Sequence, residues 1–284
     1  MTPPGRLKQG LIGREDAATA LAAALDRCGH DLVAASIRDD DDAEHLDALV
    51  PGVTFATPAE VAAQVDLVWL AEGEGDLSVV AAHLAEAGAL RPGQLVAHAT
   101  AGVGIAALAD AAAAGATVMS LVPLIALDGT GRDISRLSLA PIAVSAAAPF
   151  LPIAQALAVE VGGEPIPIID AQAPLVAQAL RLVTDHMAGL IDAASRLLSA
   201  AGVDDPGVGV ARAARESVDL ALAGALRPKP LSPDELRRWT AALDRIRVGA
   251  LDTLDPAAPT DDLADVAALV DALEGYVPDR SEPR

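Results

Sequence analysis

Apolar and polar residues follow two different periods along the first 170 positions. From Gln9 a short apolar run ends at Gly13, an alanine-rich stretch with helical spacing follows, and after Gly29-His30 a second apolar run covers Asp31 to Ile37. Strand, helix and strand in that order predict a βαβ opening. Thr57-Pro58-Ala59-Glu60 has the form of a capping box at the start of a further helix, and Val65 to Ala71, apolar apart from Asp66, reads as a strand buried on both faces. Further strands are predicted at Gln94 to Ala99, Ala116 to Leu121 and Pro141 to Ser145, each separated from the next by a helical stretch or a loop. Strands alternating with helices predict an α/β fold with a doubly wound parallel sheet.

Strand signals stop after the run from Gly162 to Ile169, and everything from Gln172 onward reads as helix. Val176, Leu180, Val183, Met187, Leu190, Ala194 and Leu197 recur at spacings of four and three, which predicts one long helix with a continuous apolar stripe. Ser232-Pro233-Asp234-Glu235 predicts a second capped helix, and Thr260-Asp261-Asp262 a last one ending near Gly275. A length of 284 residues suits two domains. The expectation is an α/β domain over residues 1–170 and an all-helical domain over residues 171–284.

Composition narrows the partners. A net charge of −20 repels phosphate backbones and anionic headgroups, so neither nucleic acid nor a membrane surface is an expected partner. The single cysteine, Cys28, excludes an intramolecular disulfide and a cysteine-based metal site, and no His/Asp/Glu cluster has metal-ligand spacing. No apolar run follows the opening residues, and Pro141, Pro149 and Pro152 interrupt the uncharged stretch from Leu137 to Val159. Neither a signal peptide nor a membrane span is expected, and the location expected is cytoplasmic.

The turn after the first strand is where a dinucleotide site would lie. Glycines are needed there because side chains would keep the pyrophosphate from the helix N-terminus and its N–H donors. Here the turn is Gly13-Arg14-Glu15-Asp16-Ala17-Ala18. Counting back one helix length from Gly29-His30 puts Gly13 in the first glycine position, Glu15 in the second and Ala18 in the third. Alanine is tolerated at the third position, whereas Glu15 places a charged side chain where none fits and Asp16 adds a second charge. Two unit charges about 4 Å apart repel by roughly 1 kcal/mol in water and ~4 kcal/mol at an effective dielectric of 20. Weak or absent dinucleotide binding is therefore expected unless Arg14 compensates.

With these residues in view, the chain resembles a Rossmann-like family of unknown function whose C-terminal half is similar to the helical domain of 6-phosphogluconate dehydrogenase. That family includes a ketopantoate reductase, and its members resemble NADP-dependent oxidoreductases. The resemblance runs from about Leu11 to Leu243 and is strongest at Leu49-Val50-Pro51-Gly52-Val53, Ala89-Leu90-Arg91-Pro92-Gly93-Gln94 and Val161-Gly162-Gly163-Glu164-Pro165. These are scaffold segments. At the family's functional motifs the chain departs. Ala71-Glu72-Gly73-Glu74 stands for a loop resembling Ala-Val-Pro-Asp, and His98-Ala99-Thr100-Ala101 for one resembling His-Thr-Ser-Gly. Val122-Pro123 replaces a His-Pro pair, Asp185-His186 an Asn-His pair, and a Gly-Pro-Val loop has no counterpart near Gly224.

The resemblance implies NADP as cofactor, held by Gly13, Arg14, Ala18, Arg38, Ala71 and His98. It also implies a small 2-oxo acid reduced with His186 polarising the carbonyl, Thr100 orienting it and Asp185 alongside. Each residue has a plainer reading as well. His186 suits the edge of a helical core, Asp185 suits an ion pair with Arg181 one turn away, and His98 and Thr100 suit a loop cap. Arg38, placed to meet a 2′-phosphate, suits equally a surface arginine neutralising Asp39 to Asp42. Trp69 and Trp239 read as core residues, and Cys28 as a small apolar filler. Two functions stay open: a ketopantoate-reductase-like NADP oxidoreductase, or a catalytically silent paralogue that serves as a binding or scaffolding homodimer.

Overall fold

A computed structural model describes residues 5–73 and 75–224. The capped helices expected after Ser232 and Thr260, and Trp239 and Glu74, lie outside these residues. The chain divides into two compact units, Met1–Leu180 and Arg181–Arg284.

In the first unit the strands are β1 (Lys8–Gly13), β2 (Asp31–Ser36), β3 (Thr54–Phe55), β4 (Leu67–Ala71), β5 (Leu95–His98), β6 (Thr117–Pro123), β7 (Pro141–Ala146) and β8 (Glu164–Pro167). The helices between them are α1 (Asp16–Arg27), α2 (Asp40–Leu49), α3 (Pro58–Gln64), α4 (Leu77–Glu86), α5 (Ala109–Ala113), α6 (Arg132–Arg136) and α7 (Leu151–Glu160). All eight strands form one sheet in the order β3-β2-β1-β4-β5-β6-β7-β8. The order reverses direction at β1, so the β1–α1 turn lies at the switch point where open α/β sheets bind ligands.

Adjacent residues on a strand face opposite layers. Leu11 and Trp69 join one core with α1, α2, α6 and α7, while Ile12, Val68 and Leu70 join the other with α3, α4 and α5. On α1, Ala17, Ala18, Ala20, Ala22, Ala23 and Ala24 are all buried, so its backbone comes close to the sheet. Trp69 is fully buried in this small-residue core, and its indole N–H donates to Gln9 Oε1 at 2.9 Å. The Gln9 amide donates in turn to Ala22 O at 3.2 Å, so the indole of Trp69 leaves no orphan donor. At the opposite end of the strands, His30 Nδ1 accepts from Leu7 N, which assigns the proton to Nε2 and lets it donate to Glu160 at 2.6 Å. Cys28, expected as an apolar filler, caps α1 with its thiol donating to Glu160 O.

The sheet departs from the all-parallel expectation at β7, which runs antiparallel to β6. The connection holds only the short α6, and Leu124 N donates to Pro141 O, so the chain turns back at the same end of the sheet instead of crossing a face. β8 is an edge strand. Glu164 and Ile168 donate their N–H groups inward, to Ala140 O and Val144 O. The alternate positions Pro165 and Pro167 therefore point outward and present no donor to a further strand.

The predicted long helix is broken. Leu182 and Val183 end α8 (Ala173–Val183), which spans the boundary between the units, and α9 (Asp185–Ala200) begins after Thr184 at φ −104°, ψ −77°. In an unbroken helix the Arg181 carbonyl would accept from the N–H of Asp185. Here it pairs with His186 Nδ1 at 2.9 Å, while Thr184 donates its hydroxyl to Asp185 at 2.8 Å. No Arg181–Asp185 ion pair forms. α10 (Pro206–Leu222) completes the described part of the second unit.

Leu139 carries visible backbone strain. Leu139 is at φ +63°, is 77% exposed, and is held by its N–H on Gly162 O at 2.7 Å. Little apolar burial would be lost on truncation. Leu139→Gly is expected to raise stability by about 1 kcal/mol in urea denaturation, and unchanged or lower stability would show that the turn is not strained.

Candidate functional site

The site is built where β1, β2, β4 and β5 end together. Gly13 closes β1 at φ +94°, and a Cβ there would strike the Ala71 carbonyl, so only glycine fits. That same carbonyl accepts two N–H donors from the turn, Arg14 N at 2.7 Å and Glu15 N at 2.8 Å. Ala71, one of the expected cofactor contacts, thus fixes the turn through its backbone. Ala18 is fully buried, and its lack of a longer side chain lets α1 lie close to the sheet.

Glu15 is the N-cap of α1. Its carboxylate accepts from Ala17 N at 3.2 Å and from Ala18 N at 2.9 Å. These are the free donors at which a dinucleotide fold holds pyrophosphate, and here the protein's own anion occupies them. Burial pushes the Glu15 carboxyl pKa up, while the two N–H donors pull it down and Asp16 adds to the rise.

The two arginines expected at a phosphate are both paired with acids. Arg14 contacts Asp42 at 2.6 Å, so it is Arg14, rather than Arg38, that neutralises the Asp39–Asp42 run. Arg38, 82% exposed, lies 3.5 Å from the Glu72 carboxylate. The Glu72 side chain is only 14% exposed, and its Cδ would sit 2.9 Å from a Cβ on Gly13. Glu72 therefore lies over the turn. Burial pushes its pKa up, Arg38 opposes the rise and Asp76 adds to it. Thr100 spends its hydroxyl on the Glu72 carbonyl at 2.9 Å, which fixes the loop after β4.

His98 ends β5, fully buried, with neither ring nitrogen in hydrogen-bonding geometry to another described residue. Burial pushes its pKa down to about 4, against the opposing pull of Asp170 and the Gly104 backbone. The ring is therefore neutral at physiological pH. Asp170 accepts from Ile105 N and fills the space where Gly104 lacks a side chain, which pins the loop after β5.

Gly13, Arg14, Ala18, Arg38, Ala71 and Thr100 are thus gathered at one end of the sheet, with His98 packed beneath the loop after β5. Asp185 and His186 belong to the second unit, where His186 is buried.

A cavity of about 350 Å³ adjoins the turn, lined by Arg14 and Asp16 and lying between α1, α2 and the segment 128–134. Of the carboxylates that line it, Asp42 is engaged by Arg14, and Asp128 and Asp133 by Arg136 at 2.9 Å each, and Asp16 lines it as well. Asp133, buried, also accepts from the N–H groups of Asp128 and Gly129 and so organises this loop. The Asp128-Gly129-Thr130-Gly131 run has the composition of a turn, the one signal in the sequence that points to this loop. Among the described residues no group of His, Cys, Asp or Glu is arranged to hold a metal ion, and no helix is long and apolar enough to cross a membrane.

Residues 2–123 match the Rossmann-like domain family. No curated protein sequence matches the chain. Among solved structures, a Bacteroides fragilis protein assigned as an NADP oxidoreductase superposes with a TM-score of 0.67 at 15% identity, covering 95% of this chain and 97% of its own. A pyrroline-5-carboxylate reductase from Coxiella burnetii gives 0.57 at 15% identity, covering 95% and 98%. A reductive aminase from Aspergillus terreus, in complex with NADPH and ethyl levulinate, gives 0.58 at 16% identity, covering 95% and 94%. At these identities the likeness is one of fold, and the fold is one that NADP-dependent reductases use.

The buried His98 sets a pH dependence. In the unfolded chain a histidine takes up its proton near pH 6.5, whereas in the folded chain His98 does so only near pH 4. Unfolding therefore binds a proton between these values, and stability falls as pH falls through that window. The depression is worth roughly 3 kcal/mol across the whole interval. In urea denaturation at pH 7 and pH 4, His98→Leu is expected to lose less stability than the native chain by about that amount. Equal losses would mean that His98 takes up its proton as readily in the folded chain as in the unfolded one.

Proposed function

We propose that this chain keeps a dinucleotide-binding fold without binding a dinucleotide, and acts as a catalytically silent binding or scaffolding protein. The observation that carries this reading is the Glu15 carboxylate on the Ala17 and Ala18 N–H groups, at the place a pyrophosphate would need. NADP does not fit the residues present. The α1 donors are taken, Glu72 covers Gly13, and Arg14 and Arg38 are each paired with a carboxylate. No chemical step through a nicotinamide follows from such a site.

Magnitudes favour the same side. A penalty of about 4 kcal/mol turns a micromolar dissociation constant into a millimolar one. Displacing the cap costs about 1 kcal/mol, and each carboxylate left near a phosphate costs between roughly 1 and ~4 kcal/mol. The expected outcome of titrating the full chain with NADPH by calorimetry is no saturable binding into the millimolar range. Saturable micromolar binding would overturn the proposal.

That outcome would favour the second reading, an NADP-dependent oxidoreductase acting on a small 2-oxo or 2-hydroxy acid in the manner of ketopantoate reductase. Its support is that the reductive aminase of the same fold is a complex with NADPH, and that Thr100 follows the end of β5, where ligands collect in open parallel sheets.

The silent reading includes self-association through the helical unit. Its support is the exposure of Ile191 and Leu197 on α9 and of Val208, Leu220 and Leu222 on α10. Sedimentation at micromolar concentration is expected to give a homodimer, and a strict monomer would remove this part of the proposal.

A further inference from the structure

We propose that Glu72 is a second lock on the strand-end crevice, separate from Glu15, and that it acts by holding Arg38 away from any anion entering there. This rests on the reading that the chain does not bind a dinucleotide as it stands. The two carboxylates block different things. Glu15 occupies the backbone donors of α1, whereas Glu72 lies over the Gly13 turn and pairs with the cation at the end of β2. Its position is imposed from behind, because Thr100 grips the Glu72 carbonyl and leaves the side chain directed across the turn.

Arg38 is the one strand-end arginine whose partner lies across the turn. Arg14 is turned to α2, on Asp42. The Arg38 guanidinium is highly exposed and its ion pair is loose at 3.5 Å, so the pair is held by the placement of Glu72 more than by its own strength. Removing Glu15 alone would open the donors but leave an anion facing Glu72 with Arg38 still engaged. Removing both would present free N–H donors and a free arginine side by side. A terminal phosphate near the end of β2 would then be distinguished from a hydroxyl there.

The test is calorimetric titration of four folded full-length proteins with NADPH and with NADH: the native chain, Glu15→Gly, Glu15→Gly/Glu72→Ala, and the double variant carrying Arg38→Ala. Retained melting behaviour identifies each as folded, and glycine is a tolerated N-cap residue. The expected result is that Glu72→Ala in the Glu15→Gly background tightens NADPH at least about tenfold, the size expected when one repulsion is replaced by one charge-assisted contact, and tightens NADH less. Arg38→Ala should then erase the difference between the two nucleotides. A Glu15→Gly protein that binds as well as the double variant would overturn the proposal, as would a folded double variant that binds neither nucleotide or that gains equally for both. Micromolar binding by the native chain would instead overturn the functional reading above, an outcome read on a different protein.

Discussion

The carbonyl oxygen of Ala71 is the point on which the strand-end architecture turns. It stops β4, accepts the N–H groups of both Arg14 and Glu15, and by its closeness forbids a side chain at residue 13. Once that carbonyl is in place, the chain leaves β1 through a positive φ, and residue 15 has to be the residue that caps α1. A side chain able to accept hydrogen bonds at position 15 then finds two free donors within reach. The acidic replacement in the turn is therefore a stable local solution as well as an obstacle to phosphate. An anion at a helix N-terminus is favourable by about 0.3–1 kcal/mol from the helix dipole alone.

The remainder of the crevice follows the same logic of internal neutralisation. In a chain with a net charge of −20, the arginines around this crevice have carboxylates close by. Arg14 takes Asp42, Arg38 takes Glu72 and Arg136 takes Asp128 and Asp133. Exposed pairs of this kind add little to stability. Their consequence is functional, because each cation placed to attract phosphate already has an anionic neighbour. His98, at the end of β5, stays neutral because burial outweighs the pull of Asp170.

Much of the scaffold was legible because it rests on local periodicity. The Thr57–Glu60 capping box forms as expected, the two-sided burial of β4 holds along its whole length, and counting back from Gly29-His30 places Gly13, Glu15 and Ala18 correctly around the turn. What was not legible depended on contacts between distant residues. The direction of β7 is set by a connection with no helical period strong enough to announce a return. The break at Thr184 interrupts a stripe whose spacing is unbroken, because a histidine ring and a threonine hydroxyl redirect the backbone there. In the site, charge alone marked Glu15 and Glu72 as hostile to phosphate. Their partners, α1 donors in one case and Arg38 in the other, required the fold.

The three positions of the turn separate what a fold needs from what a ligand needs. Gly13 is required whether or not a nucleotide binds, because the Ala71 carbonyl excludes any Cβ there. Ala18 is required small because it is fully buried between α1 and the sheet. Both demands come from packing, and both residues meet them. The middle position is different: Glu15 is accommodated, half-buried, as the cap of α1, and the need for glycine there comes from a ligand's approach. That position carries glutamate. Gly13 and Ala18 thus answer demands of packing, so the presence of Gly13 in this chain says nothing in favour of a dinucleotide, and of the three positions it is residue 15 that bears on one.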